Sequence, residues 1–377
     1  MSSFLTIDSA RIPLVEVFAA VPDPRARRGV RHALPVVLTV ATAAVLAGAK
    51  SLLAVAEWVA EADRDALSQL GIDPDAVLPS ESTIRRTLAG LDGNDLDARV
   101  GAWMATRVRL VGERTVVAVD GKSLRGAGVD GAMPHLLSAL DHDHRVVLGQ
   151  RAVGDKGSEI PALKDLLDPM NLTGVVVTAD ALHCQRDTAT WLVDRGAHYV
   201  LTVKGNQPGL RNKLKDLPWA KVPGHTYRDR HHGRSITRTL KAAQVPAWVD
   251  WPGAAQVLQV RRTRIVNGRK HIEVVYAVSS VPMEHAQPPV VAAWIQGHWA
   301  IWGHLPLAGE NALHWVRDVT FDEDRHQLRV GSGPQVMATL RNTGISLLRL
   351  AGWNSITAAT RHHARDSRRP IKLLAES

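Results

Sequence analysis

Three short runs, "RTVVAVDG" (114–121), "TGVVVTAD" (173–180) and "AHYVLTVKGNQ" (197–207), are apolar at nearly every position instead of at alternate ones. A strand of that kind has no face to offer to water, so it belongs in a sheet covered on both sides. The segments between the runs supply the cover. "HLLSALDHDHRVVLGQRAV" reads as a hairpin turning at "DHDH", "SEIPALKDLLDPM" as a helix, and "CQRDTATWLVDRG" as a second helix closed by Gly196. Strand, hairpin, helix, strand, helix, strand predicts an α/β domain with a mixed central sheet flanked by helices.

The flanking segments differ in texture. Residues 1–110 read as an all-helical N-terminal domain, in which the basic lead-in "DPRARRGVRH" precedes "LPVVLTVATAAVLAGA", "SLLAVAEWVAEADRDALSQLG" and "LPSESTIRRTLAGLD". The first of these three is the most apolar window of the chain. It falls short of the roughly 20 residues of a bilayer span and holds two threonines and a proline, so it is expected to be a buried helix. A DNA-binding module is one reading of these helices, and a domain that merely packs on its neighbour is the other. Residues 208–283 form a Val-rich, arginine-rich insertion with hairpin patterning and an "NG" turn. It interrupts a core domain spanning 111–350. Helices return near 288, and the basic tail, 351–377, is expected to be partly disordered.

The formal charge of +9, from 46 Lys+Arg against 37 Asp+Glu, favours an anionic partner, and a solvated basic surface is the bland alternative. Cys184 is the one cysteine, which rules out an intrachain disulfide or a cysteine zinc cluster and fits a reducing, cytoplasmic setting. "DHDH" and "RHH" are better read as a turn and surface histidines than as zinc ligands. Lys122 and Ser123 lack the glycines of a phosphate-binding loop before them.

The strongest chemical signal is Asp120 with Asp180, each ending an apolar run. On adjacent parallel strands the two carboxylates would reach one cation, and hard oxygen donors suit Mg2+. Singly, Asp120 can open the "DGKS" turn and Asp180 can cap the next helix. Glu310 is the candidate third carboxylate, with a first-turn acid favoured by the helix dipole as its plain reading. Beyond it, His314, Arg317 and Asp318 fall on one helical face, and Leu313, Val316 and Val319 on an apolar one.

A longer set of motifs carries a resemblance. "DPRARRGVRHALPVVLTVATAAVLAGAKS", "PSESTIRRTL", "VAVDGKSLRGA", "KGSEIPALKDLLD", "TADALHCQRDTA", "YVLTVKGNQ", "HHGRSITR", "GHWAI" and "ENALHWVRDVTFDED" appear in the order found in DDE-class insertion-sequence transposases. The chain resembles the H-repeat-associated group of that class over nearly its whole length. The resemblance implies an RNase H-like core, a β-rich insertion before the last catalytic helix, and an acidic triad of Asp120, Asp180 and Glu310. It implies phosphoryl transfer on DNA with Mg2+ or Mn2+ held by that triad, acting as a homodimer on element ends and target DNA. Lys122, Arg125, Lys204, Arg234, Arg238, His298 and Arg317 become candidate DNA contacts.

One stretch departs from the pattern. In "HWAIWGHLPLAGENALHW" (298–315), residues 302–309 separate Ile301 from Glu310, where the group runs on without interruption. Continued as straight helix, eight residues would carry Glu310 about 12 Å along the axis. Gln296 stands where arginine is expected, and Ile236 where glutamate is expected. The alternative is therefore a catalytically impaired relic that only binds DNA.

Overall fold

A computed structural model describes residues 12–108, 115–130, 132–154, 158–231, 234–266, 269–300 and 313–377. The chain begins with α1 (Leu14–Ala19), α2 (Leu34–Leu46), α3 (Leu52–Glu61), α4 (Arg64–Leu67), α5 (Glu81–Gly90) and α6 (Gly93–Arg107). Side chains start three of these helices: Ser51 accepts from the Ala54 amide ahead of α3, Asp63 from Ala66 ahead of α4, and Asp92 from Asn94 and Asp95 ahead of α6. The apolar window is α2, buried without interruption from Val37 to Leu46. It is a core helix, and among the described residues no helix is long and apolar enough to cross a membrane.

The central domain runs β1 (Val116–Ser123), β2 (His135–Asp141), β3 (Val147–Val153), α7 (Glu159–Leu167), β4 (Val176–Ala179), α8 (Arg186–Asp194) and β5 (His198–Val203). Strand β1 pairs antiparallel with β2 and parallel with β4; β2 pairs antiparallel with β3, and β4 parallel with β5. That spatial order, β3-β2-β1-β4-β5, is the RNase H-like arrangement the resemblance implies. Both faces of the apolar strands are covered, as expected. Val117, Val119, Val177 and Leu201 share a core with α7 and α8, whereas Val116, Val176 and Val200 lie in a second core on the opposite face.

The insertion supplies α9 (Pro208–Lys215), β6 (Gly224–His231), β7 (Arg234–Gln244), β8 (Gln256–Val266) and β9 (Arg269–Ser279). Its last strand pairs antiparallel with β5, so the insertion extends the central sheet to nine strands, β3-β2-β1-β4-β5-β9-β8-β7-β6. Helix α10 (Pro288–Ala300) lies over the junction, with Val291, Ala292 and Ile295 against Val116, Val176, Val200 and Leu258.

After the undescribed 301–312, α11 (Leu313–Trp315) runs into a π-helical turn, Val316–Thr320. Leu313 and Val316 are buried, but Val319 is 53% exposed. The expected apolar face ends there because the wider π turn rotates later side chains off the α-helical spacing.

Three helices close the chain: α12 (Gly333–Leu350), α13 (Ile356–Ala364) and α14 (Arg368–Ala375). The tail is thus helical, contrary to the expected disorder. Ile356, Ile371 and Leu374 are buried, and α14 packs on α2 and α4 while Arg368 and Lys372 are exposed. Helix α12 packs against α2, α5 and α6, so both ends of the chain build one helical layer. Gly101 lets α6 approach the sheet, since a Cβ there would lie 2.4 Å from the Leu148 carbonyl oxygen of β3.

Candidate active site

The parallel ladder between β1 and β4 ends at the pair Val119 and Ala179, and the next residue on each strand is Asp120 and Asp180. Asp120, still inside β1, and Asp180, the first residue after β4, therefore stand on neighbouring strands, on the face that α10 covers. Each is fixed by a donor. His314 Nε2 lies 3.0 Å from Asp120 Oδ2, and the Leu182 amide donates to Asp180 Oδ1 at 2.9 Å, capping the turn Ala181–His183. The other oxygen of each carboxylate has no hydrogen bond among the described residues, which leaves a hard oxygen donor on each of two neighbouring strands. That donor set fits a divalent cation of the Mg2+ type.

His298, from α10, forms the wall of this site. Its Nδ1 lies 3.2 Å from the Thr178 hydroxyl, which is also 3.2 Å from His142 Nε2. Burial pulls the His298 pKa down, against the pull of the Asp120 and Asp180 charges, and the nearby His183 and Lys204 lower it further. His142 falls to about 3 through burial and the neighbouring His298. Both rings are accordingly neutral near pH 7.

Behind the aspartates, on the opposite face of the sheet, Glu159 joins the two strand ends. Its Oε2 is 3.1 Å from His135 Nε2 and its Oε1 is 3.3 Å from His183 Nε2, while Ser123 Oγ meets His135 Nδ1 at 3.0 Å. Burial opposes ionisation of Glu159, but hydrogen bonds and charge from both imidazoles prevail and bring it to about 2. The residue after Asp120 must be glycine here. A Cβ on Gly121 would lie 2.4 Å from His135 Nε2 and 2.8 Å from Glu159 Oε1.

A family model described as "Transposase DDE domain" matches residues 111–346, and one described as "DDE_Tnp_1-associated" matches 15–104. The chain belongs to the DDE transposases. It is similar to YncI of Escherichia coli O157:H7, with 29% identity over 89% of this chain and 87% of that one. It is also similar to the H repeat-associated YhhI of E. coli K12, with 28% identity over 89% of this chain and 90% of that one. A protein encoded in the dhlA 3′ region of Xanthobacter autotrophicus is 31% identical over 68% of this transposase and 90% of its own length. Among solved structures, a piggyBac transposase synaptic complex with hairpin DNA aligns at 12% identity and a TM-score of 0.39, over 95% of this chain and 86% of that one.

In this transposase the candidate residues fall into four groups. Asp120, Asp180 and His298 meet at one site; Glu310 and the 302–309 segment lie outside the described residues, as does the side chain of Arg234. Lys122, Arg238 and Arg317 are interior. Lys122 Nζ is 2.5 Å from Asp318 and 3.6 Å from Asp324, Arg317 donates to Glu323 at 2.8 Å, and the Arg238 guanidinium lies over the Tyr227 ring at 5.7 Å. Arg125 and Lys204 are exposed, Arg125 lying 3.9 Å from Asp324. Sequence reasoning did not find the roles of His314, Thr178, His142 or the trio around Glu159. For His314 a signal existed in its place four residues after Glu310, one helical turn on. Glu159, an acid in a helix's first turn, carries no signal beyond the ordinary dipole preference.

Proposed function

We propose that this transposase belongs to a bacterial insertion sequence, binds the element's ends as a homodimer in the cytoplasm, and catalyses metal-dependent cleavage and transfer of DNA strands. The observation that carries this reading is the register that sets Asp120 and Asp180 on neighbouring strands. Their carboxylates would hold Mg2+ or Mn2+, with Glu310 as the third acidic ligand. Such ions polarise the scissile phosphodiester and lower the pKa of an attacking water or 3′-hydroxyl. The chain's own residues prepare the place. His314 and the Leu182 amide fix one oxygen on each aspartate, Thr178 and His298 wall the site with neutral side chains, and exposed Lys204 and Arg125 stand ready for phosphates.

A second reading, a DNA-binding relic without cleavage, is favoured by one observation: eight residues, 302–309, intervene before Glu310. Incubating the protein with duplexes that carry the element's ends, plus Mg2+ or Mn2+, separates the two. End-specific nicking that disappears in Asp120→Asn supports the enzyme, and binding without nicking supports the relic. Deleting residues 302–309 then asks whether the segment is damage, by gain of nicking, or part of the working site, by loss.

A further inference from the structure

The loop between α1 and α2 is built around one arginine. Arg25 grips Asp23 with two hydrogen bonds, Nε to Oδ1 at 2.8 Å and Nη2 to Oδ2 at 2.7 Å. The same guanidinium donates to the His32 carbonyl at 2.9 Å and to Thr87 Oγ1 of α5 at 3.3 Å. One side chain, only 17% exposed, thus ties the loop's beginning to its end and both to α5.

The frame displays charge. Between its two ends lie Arg27, Arg28 and Arg31, all exposed, the first two on a 3-10 turn, and none has an ion-pair partner among the described residues. Beside them on α5, Arg86 is exposed, with its Nε on the Ser82 carbonyl of its own helix. Three unpaired guanidiniums amount to a third of the chain's formal charge of +9. Holding like charges together in an ordered loop costs energy that a merely solvated surface has no reason to spend. The cost is recovered when an extended array of anions lies across them.

We infer that this Arg25-pinned loop is a phosphate-contact surface for duplex DNA, with Arg27, Arg28 and Arg31 on the backbone and Arg25 as the residue that positions them. The inference rests on the DNA-acting reading above and names a contact surface separate from the aspartate site. Because Arg25 is spent on Asp23, Thr87 and His32, it touches no phosphate. Its own charge should matter less than its forked geometry, which a lysine cannot reproduce.

The test uses the full chain, an arbitrary-sequence duplex of about 30 base pairs and EDTA, with anisotropy read across a salt series of about 50 to 200 mM. The triple variant Arg27→Ala/Arg28→Ala/Arg31→Ala should flatten the slope of log affinity against log salt by about 2.7, at about 0.9 per lost phosphate contact, and weaken binding at least about tenfold. Arg25→Lys, which preserves charge, should weaken binding severalfold. The control Arg361→Ala/Arg365→Ala removes exposed charge elsewhere and should change the slope by less than half as much. A triple variant with the parent's slope overturns the inference, as does a control that loses as much. Metal is absent, so an inert catalytic centre leaves the result untouched. A parent protein that binds no duplex at low salt overturns the DNA reading itself, an outcome distinct from equal binding by parent and variant.

Discussion

His314 Nε2 and Asp120 Oδ2 are 3.0 Å apart with both side chains buried, which ties α11 directly to the first strand of the sheet. Outer partners of this kind orient a ligating carboxylate and typically carry 10–100-fold in metal affinity. His314→Ala should therefore weaken Mn2+ binding by about that factor, and His314→Gln, which retains a donor, should recover part of it. Water-proton relaxation during Mn2+ titration reads this without any need for turnover. Unchanged Mn2+ affinity in His314→Ala would count against the proposed role of Asp120 or against this bond's importance, and Asp120→Asn in the same titration says which.

Glu159 is placed to set the spacing of the two aspartate-bearing strand ends. Removing one member of a buried ionic group costs about 3–5 kcal/mol, so Glu159→Ala should lower the midpoint of denaturant unfolding clearly. Gly121→Ala, whose new methyl would overlap His135 and Glu159, should cost about 1–3 kcal/mol. The folded-state pKa of Glu159 is depressed to about 2 from 4.5, so its stabilisation is present above about pH 4.5 and drains away as pH falls toward 2. A Glu159→Gln variant should show a smaller acid-induced loss than the parent. Equal acid sensitivity would remove Glu159 from the account.

Asp97 of α6 works in the opposite direction. Burial raises its pKa to about 7, against hydrogen bonds from Thr339, Gln335 and Gln150 and the charge of Arg317. The folded state then holds a proton that the unfolded state gives up near 3.8, so stability falls as pH rises from about 4 to about 7. Over some three pH units at about 1.4 kcal/mol each, the change is on the order of 4 kcal/mol. Asp97→Asn should flatten the pH dependence of unfolding in that window. A parent whose stability rises steadily from pH 4 to 7, with an identical variant, would refute it.

Glu323 sits between Arg317 at 2.8 Å and Arg341 at 3.0 Å, and all three are buried. Glu323→Gln leaves two guanidiniums in the interior without the acid that contacts them both, and about 3–5 kcal/mol of stability should be lost. Replacing all three with apolar residues of similar volume should cost less than the single change, because the desolvated charges go together. Thermal melts of the two variants rank them. The reverse order would mean the triad's shape matters more than its charge.

What was legible in the sequence was whatever a local pattern can encode. Val116–Val119 is apolar throughout and 175–179 at every position but Thr178, and that alone announces strands covered on both faces with an aspartate at the end of each run. The hairpins of the insertion were equally visible, but the pairing of β9 with β5 was not, since nothing in either strand names its neighbour. Arg317 and Lys122 read as surface cations because the acids that hold them, Glu323 and Asp318, belong to a turn whose course depends on the π-helical register at 316–320. Val319 was misread for the same reason. In the tail, arginine density concealed Ile371 and Leu374, three residues apart on one face and both buried.

The insertion joins the core through a hydrogen-bonded ladder from β5 to β9, and β5 in turn pairs with β4, the strand that leads directly to Asp180. From β6 at the free edge to the strand that leads to Asp180, every neighbour is a hydrogen-bonded one, so the arginine-rich insertion and the aspartate site are parts of one continuous sheet.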